Sequence, residues 1–228
     1  MVDALLLEWE DVLADTASVR REALLRALAD EGVHVDAATY ESRCQGLAVR
    51  DAAAAALACA GHRDHTLTDL VAMRASRAFA ARLGKGFTLL PGAREFVSRG
   101  QLSAPIAVVT SSARSEVEFV LRLAGLDGAV STIVSADDRL DALPSPATFE
   151  RALAHLARRR APNRDRVIAL APTTFALRAA RVAGVHTIAV GAPAHVAVEA
   201  DGTIDSIGGR TVHELETLAG MTAAGRRS

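Results

Sequence analysis

The chain has 228 residues, of which 50% are hydrophobic and 23% charged, and its formal net charge is −1 at pH 7. This length is enough to bury a sizeable core in one or two domains. The small net charge gives no electrostatic reason to expect nucleic acid or an anionic membrane surface as a partner, and no apolar run approaches the ~20 residues that span a bilayer. Because Cys44 and Cys59 are too few for a disulfide framework, a reducing, cytoplasmic location is expected.

The first predicted element is a buried strand at residues 4–9, an apolar run that ends in acidic residues. A long, helix-patterned stretch follows, punctuated by Gly32, Gly46 and Gly61. Its predicted helices lie at residues 18–30, 37–43, 50–60 and 66–83. The stretch is too long for a simple crossover, so we expect a separate helical cap domain at residues 17–85, with Gly84-Lys85-Gly86 as the hinge that returns to the core.

The rest of the chain alternates buried strands with helices. Strands are predicted at residues 106–109, 132–135, 167–171 and 187–190, and helices at residues 115–123, 146–159 and 174–182. Apolar strands without polar alternation are typical of parallel sheets covered on both faces. The pattern predicts an α/β fold with a doubly wound, mostly parallel, Rossmann-like sheet of five or six strands. Residues 1–16 and 86–220 would form this core domain, and residues 221–228 a flexible tail.

The end of the first strand resembles a known active-site motif. Residues 5–16 are Leu-Leu-Leu-Glu-Trp-Glu-Asp-Val-Leu-Ala-Asp-Thr. They resemble the first motif of the haloacid dehalogenase (HAD) phosphohydrolase superfamily, usually Asp-x-Asp-Gly-Thr-Leu-x-Asp-Ser/Thr. Glu8 and Glu10 stand in place of the two aspartates, Asp11 replaces the glycine and Val12 the threonine. The ring of Trp9 either packs beneath the strand or intrudes on the pocket.

Further segments extend the resemblance over nearly the whole chain. The predicted cap, inserted between the first two motifs, is similar to that of the β-phosphoglucomutase and phosphoglycolate phosphatase branch. Matching segments lie at residues 45–52, 90–96, 108–112 (motif two), 143–149 (motif three) and 167–184 (motif four). In the first of these, the resemblance implies that Arg50 faces the substrate.

The resemblance also implies roles for the matching residues. In this family the first aspartate becomes an aspartyl phosphate and the second protonates the leaving oxygen, so Glu8 and Glu10 are their positional equivalents. Thr110, Ser111 and Ser112 match the motif-two segment that holds phosphoryl oxygens. A motif-three lysine offsets the gathered negative charge, and motif-four acids anchor Mg²⁺.

Three of these positions carry residues without the required chemistry. Leu143 stands where the lysine belongs, and Ala171 and Pro172 stand where the motif-four acids belong. We therefore expect no metal ligands and no cofactor, with Mg²⁺ involved only if the chain is an enzyme.

The sequence leaves three interpretations. The first is a non-catalytic HAD-like protein that binds a small anionic or phosphorylated ligand, or a protein partner. The second is a divergent HAD hydrolase that acts on a small phosphorylated metabolite with Glu8 as nucleophile. The third is a structural or assembly role that uses the cap surface.

Other charged groups favour structural roles. Asp137 and Asp138, at the start of a loop after the third strand, are predicted to cap or form turns rather than to hold a cation. Arg139 could lend positive charge in place of the lysine. His62 and His65 have metal-like spacing, but their charged, glycine-led context predicts a solvated loop.

Overall fold

The computed structural model of the chain describes residues 1–83, 89–141, 143 and 145–221. The chain divides into two compact units: Met1–Ala14 with Leu89–Ser228, here the α/β unit, and Asp15–Thr88, here the helical insert. The sequence-based boundaries were 16/17 and 85/86. The predicted hinge at residues 84–86 and all of the predicted tail except Met221 lie outside the described residues.

The α/β unit is built on a six-stranded sheet with the order β3-β2-β1-β4-β5-β6. The strands are β1 (Ala4–Glu8), β2 (Ile106–Val109), β3 (Thr132–Val134), β4 (Val167–Ala171), β5 (His186–Val190) and β6 (Gly202–Ile204). All neighbouring strands pair in parallel, which confirms the predicted fold class. The first five strands lie within one residue of their predicted ends. The sixth was not located, because three residues that begin with glycine carry no hydrophobic pattern.

The central strand β1 pairs on both sides. Leu5 lies opposite Ile106 of β2 and opposite Ile168 of β4. Every residue of β1 is buried, because helices cover both faces of a doubly wound sheet. The carboxyl end of β1 is therefore flanked by the ends of two other strands.

The described part of the helical insert, residues 15–83, forms four helices with a core of their own. They are α1 (Ala17–Ala29), α2 (Ala37–Arg43), α3 (Val49–Cys59) and α4 (His65–Leu83). Each lies within one residue of its predicted bounds. Fully buried Leu28, Leu57 and Val71 belong to one hydrophobic cluster within the insert, so its apolar stripes pack against one another.

The described residues of the α/β unit form six further α-helices. They are α5 (Ala93–Gly100), α6 (Arg114–Leu123), α7 (Ala147–Ala157), α8 (Thr174–Val182), α9 (Ala194–Ala197) and α10 (Val212–Leu218). The three predicted helices correspond to α6, α7 and α8, whereas the short α5, α9 and α10 were not predicted. Phe149 of α7 and Leu177 of α8 pack in one cluster with β1 and β4. None of the described helices combines the length and hydropathy needed to cross a bilayer.

A close backbone approach at the start of α5 gives a test of this packing. Gly92 has φ of 78°, and a Cβ there would lie 2.4 Å from the Cα of Gly208. Gly92→Ala should therefore lower the free energy of unfolding by roughly 2–4 kcal/mol through strain and overpacking. Gly125→Ala is the matched control, because it has φ of 68° but only the tip of Arg94 nearby, at 3.9 Å; strain alone costs about 1 kcal/mol. Equal losses in urea denaturation would contradict the close approach.

Candidate functional site

The sequence-predicted residues of the core converge at one edge of the sheet. Glu8 lies opposite Val109 in the β1–β2 pairing, and Leu7 lies opposite Leu170 of β4. The residues that follow β1, β2 and β4 therefore emerge side by side. In open parallel sheets, ligands bind at this carboxyl edge.

A tight turn after β1 fixes the direction of Glu10. The Trp9 N–H donates to the Val109 carbonyl at 2.9 Å, and the Leu13 and Ala14 N–H groups donate to the Trp9 carbonyl at 3.1 and 3.0 Å. Asp11 has φ of 57°, a left-handed conformation that aspartate adopts more readily than most residues. Aspartate thus occupies, at the position of the motif's glycine, a backbone conformation that glycine adopts readily. Trp9 itself is buried, with 2% of its surface exposed.

The Glu10 carboxylate accepts hydrogen bonds from the hydroxyls that follow β2. Ser112 Oγ lies 2.7 Å and Thr110 Oγ1 2.9 Å from Glu10 Oε1, while Ser111 Oγ lies at 3.5 Å, the long limit. Thr110 Oγ1 in turn accepts the Ser112 N–H at 2.9 Å. We call these four residues the Glu10–hydroxyl cluster. The structure thus brings Glu10 together with the three motif-two residues that were predicted to bind phosphate.

Three of the four cluster residues are buried, and the hydroxyls of two of them, Thr110 and Ser112, donate to Glu10. Glu10, Thr110 and Ser112 are 9%, 7% and 1% exposed. A buried carboxylate needs such donors, because an uncompensated one is costly. A hydroxyl has one proton to donate, so a proton given to Glu10 is not offered to a phosphoryl oxygen. Sequence reasoning missed this contact. Its signal was the replacement of aspartate by the longer glutamate beside an intact motif two.

Glu8 is a buried carboxyl in an unfavourable environment for ionisation. It is 6% exposed, and its Oε2 has no hydrogen-bond partner among the described residues. Burial, followed by the negative charges of Glu10 and Asp11, raises the pKa of Glu8 well above its usual range. A carboxyl that keeps its proton can hydrogen-bond but is a poor nucleophile.

The motif-three position, Leu143, and the motif-four positions, Ala171 and Pro172, carry apolar side chains. Leu143 is partly buried and packs against the hydrophobic core cluster of the α/β unit, and Ala171 is fully buried. Thr173, next to Pro172, caps α8 by accepting the Ala176 N–H at 3.3 Å. These side chains supply no positive charge at the site.

The residues present do not fit the Mg²⁺ site that the family implies. Magnesium prefers carboxylate and other oxygen ligands in octahedral geometry. Ala171 and Pro172 have no side-chain oxygen, and hydroxyls already occupy the oxygens of Glu10. In the part of the chain that the structure describes, no three His, Cys, Asp or Glu residues group as metal ligands.

Asp137 and Asp138 have the capping roles predicted for them. Asp137 Oδ2 accepts the Arg114 N–H at the start of α6, at 2.8 Å. Asp138 Oδ2 accepts the Ser135 N–H at 2.8 Å within a capping box. Arg139 is exposed and ends this short turn.

Arg50 lies in the helical insert, on α3. Its Nε donates to Asp69 Oδ1 at 2.7 Å, and the two side chains are 58% and 60% exposed. An exposed pair of this kind contributes little to stability. The role of Arg50 toward a substrate stays a prediction. His62 and His65 are exposed in the same unit.

The raised pKa of Glu8 predicts a pH-dependent stability. The pKa of Glu8 is higher in the folded chain than in the unfolded chain. Protonation of Glu8 therefore contributes to the free energy of unfolding in full below the unfolded pKa of about 4.3, and this contribution is lost as pH rises toward the folded pKa. Glu8→Gln, which stays neutral, should remove this loss, at most about 1.4 kcal/mol per pH unit. Urea denaturation from pH 5 to pH 8 measures it, with the exposed Glu22→Gln as control. Parallel curves for wild type and Glu8→Gln would contradict a protonated Glu8.

Comparisons with known proteins agree with this architecture. The family model for haloacid dehalogenase-like hydrolases matches residues 10–190. No curated protein matches the sequence significantly. Among solved structures, β-phosphoglucomutase from Clostridium difficile is 16% identical, with a TM-score of 0.85 over 97% of this chain and 98% of that one. CbbY from Rhodobacter sphaeroides is 23% identical, with a TM-score of 0.75 over 92% and 96%. A predicted phosphoglycolate phosphatase from Haemophilus somnus is 15% identical, with a TM-score of 0.66 over 83% and 85%. At these identities the structures support the fold alone, whereas the family model covers most of the sequence, and the chain belongs to the haloacid dehalogenase-like hydrolase family.

Proposed function

We propose that this protein is a non-catalytic member of its family that acts by binding a partner protein or a small ligand. The observation that carries the proposal is the contact of Glu10 with Thr110 and Ser112. The groups that would hold a phosphoryl oxygen are engaged by the protein's own carboxylate. Function follows from the site rather than from the fold.

The state of Glu8 supports the same conclusion. Phosphoryl transfer through an aspartyl-type intermediate needs an ionised carboxylate to attack phosphorus. Burial and the nearby negative charges of Glu10 and Asp11 raise the pKa of Glu8, which disfavours the ionised form that would attack. Glutamate also places its carboxylate one methylene farther from the strand, and a displacement of about 1 Å can cost on the order of 10²-fold in rate.

Charge balance argues against a phosphorylated substrate. A phosphate group beside Glu10 would meet negative charge, and two unit charges 4 Å apart repel by about 4 kcal/mol at an effective dielectric of 20. The family offsets such repulsion with a lysine and Mg²⁺. Leu143, Ala171 and Pro172 supply neither.

A divergent hydrolase is the second candidate. Glu8 and Glu10 keep carboxyl groups at both family positions, next to intact motif-two hydroxyls. The similar structures are named as a phosphoglucomutase and a predicted phosphoglycolate phosphatase, and CbbY was crystallised with phosphate. On this reading Glu8 would attack a small phosphorylated metabolite, with Mg²⁺ as cofactor.

A turnover assay separates the two candidates. We expect purified protein to show no Mg²⁺-dependent hydrolysis of phosphomonoesters above background. We also expect no rise in melting temperature with Mg²⁺, because a ligand that binds only the native state stabilises it, and this protein should not bind the ion. Glu8→Gln is the control, and it should behave like wild type in the assay. Turnover by the wild type that Glu8→Gln abolishes would establish the hydrolase and refute the proposal.

A repaired variant tests whether the frame can still support the family's chemistry. It combines Glu8→Asp, Glu10→Asp, Asp11→Gly, Val12→Thr, Leu143→Lys and Pro172→Asp. We expect Mg²⁺ binding in calorimetry and weak phosphatase activity, which Thr110→Ala should reduce. No single change should suffice, since parts that act as a unit are non-additive. A folded variant that neither binds Mg²⁺ nor turns over would mean that the frame itself has diverged.

A further inference from the structure

The Glu10–hydroxyl cluster has the composition of an oxyanion site whose anion is part of the chain. Glu10 Oε1 receives Ser112 Oγ at 2.7 Å, Thr110 Oγ1 at 2.9 Å and, at the long limit, Ser111 Oγ at 3.5 Å. We propose that Glu10 is a specificity-determining residue, whose carboxylate fills the site formed by these hydroxyls and excludes tetrahedral oxyanions such as phosphate.

The donors are held in place before any ligand arrives. The Ser112 N–H donates to Thr110 Oγ1 at 2.9 Å, so the hydroxyl proton of Thr110 is directed away from that contact and toward Glu10. The Thr110 N–H donates to the Val134 carbonyl at 3.0 Å, and the Ser112 carbonyl accepts the Ala136 N–H at 3.0 Å. These two backbone hydrogen bonds, both on the β3 side, thus hold the backbone of the segment that carries the hydroxyls.

An external anion competes with a tethered one. Glu10 is 9% exposed, and its backbone is held by the turn after β1, so its carboxylate stays at the cluster. Tethered groups compete at effective concentrations on the order of millimolar. A phosphate that displaced the carboxylate would also leave a negative charge close by. Both effects weaken phosphate binding to the wild-type chain.

Exclusion by Glu10 rests on the proposed function in one respect, that the strand-end site does not transfer phosphate. It adds that the site excludes tetrahedral oxyanions. The two are tested separately. Turnover by the wild type would refute the proposed function, whereas binding of phosphate without turnover would refute only the exclusion by Glu10.

The experiment titrates inorganic phosphate and tungstate into full-length protein by calorimetry, with a chelator present and ionic strength held with chloride. We expect Glu10→Ala to bind phosphate saturably and at least about tenfold more tightly than wild type. Adding Ser112→Ala should weaken that binding about tenfold, the usual effect of one lost hydrogen bond to a charged group. Ser115→Ala, an exposed serine on α6, is the matched control and should leave it unchanged.

Two arms keep the test decisive. If Glu10→Ala does not fold, Glu10→Ser supplies a small, uncharged side chain whose hydroxyl can still accept a hydrogen bond from the neighbouring hydroxyls. A folded Glu10 variant that binds neither phosphate nor tungstate would overturn the proposal. Saturable phosphate binding by wild type that Ser112→Ala abolishes would also overturn it. Unchanged amide resonances of residues 110–112 in wild type with added phosphate would support it.

Discussion

The hydrogen bonds from Thr110 and Ser112 to Glu10 determine the character of the strand-end site. They join residues 100 and 102 positions apart in the sequence. They can form because β1 and β2 pair in parallel with Glu8 opposite Val109, which places the two strand ends together. A carboxylate buried without such donors would be strongly destabilising. The sheet register therefore decides both where the charge lies and how it is accommodated.

The turn that carries Glu10 has a defined backbone conformation, although residues of the family motif are replaced in it. Asp11 has a left-handed φ of 57°, and the Trp9 carbonyl accepts two N–H groups. These are backbone features, and they tolerate the change from glycine to aspartate because aspartate adopts this conformation at modest cost. Catalysis depends on side-chain length and charge, which the same substitutions alter. A family fold is thus compatible with a different function.

Most of the fold was predictable from the sequence, because buried parallel strands and amphipathic helices have strong patterns. The strand Gly202–Ile204 and the helix Ala194–Ala197 were missed because three or four residues are too few to show a period. The site was predictable in its members but not in its contacts. Motif matching brought Thr110–Ser112 and Glu10 to one edge of the sheet, but the direction of each hydroxyl depends on side-chain geometry. For Arg50, the pairing with Asp69 is set by the packing of α3 against α4.

The substitutions at the site are electrostatically consistent with one another. In the family, Mg²⁺ and a lysine balance the carboxylates that attack and protonate. This chain has Leu143, Ala171 and Pro172 at the positions that provide those positive charges. The carboxyl groups of Glu8 and Glu10 are accommodated in two different ways. Burial and neighbouring negative charge raise the pKa of Glu8, which favours its neutral form. The Glu10 carboxylate accepts hydrogen bonds from hydroxyl groups. A single added positive charge would therefore enter a site whose carboxyl groups are already accommodated. The substitutions at these positions are thus best understood together.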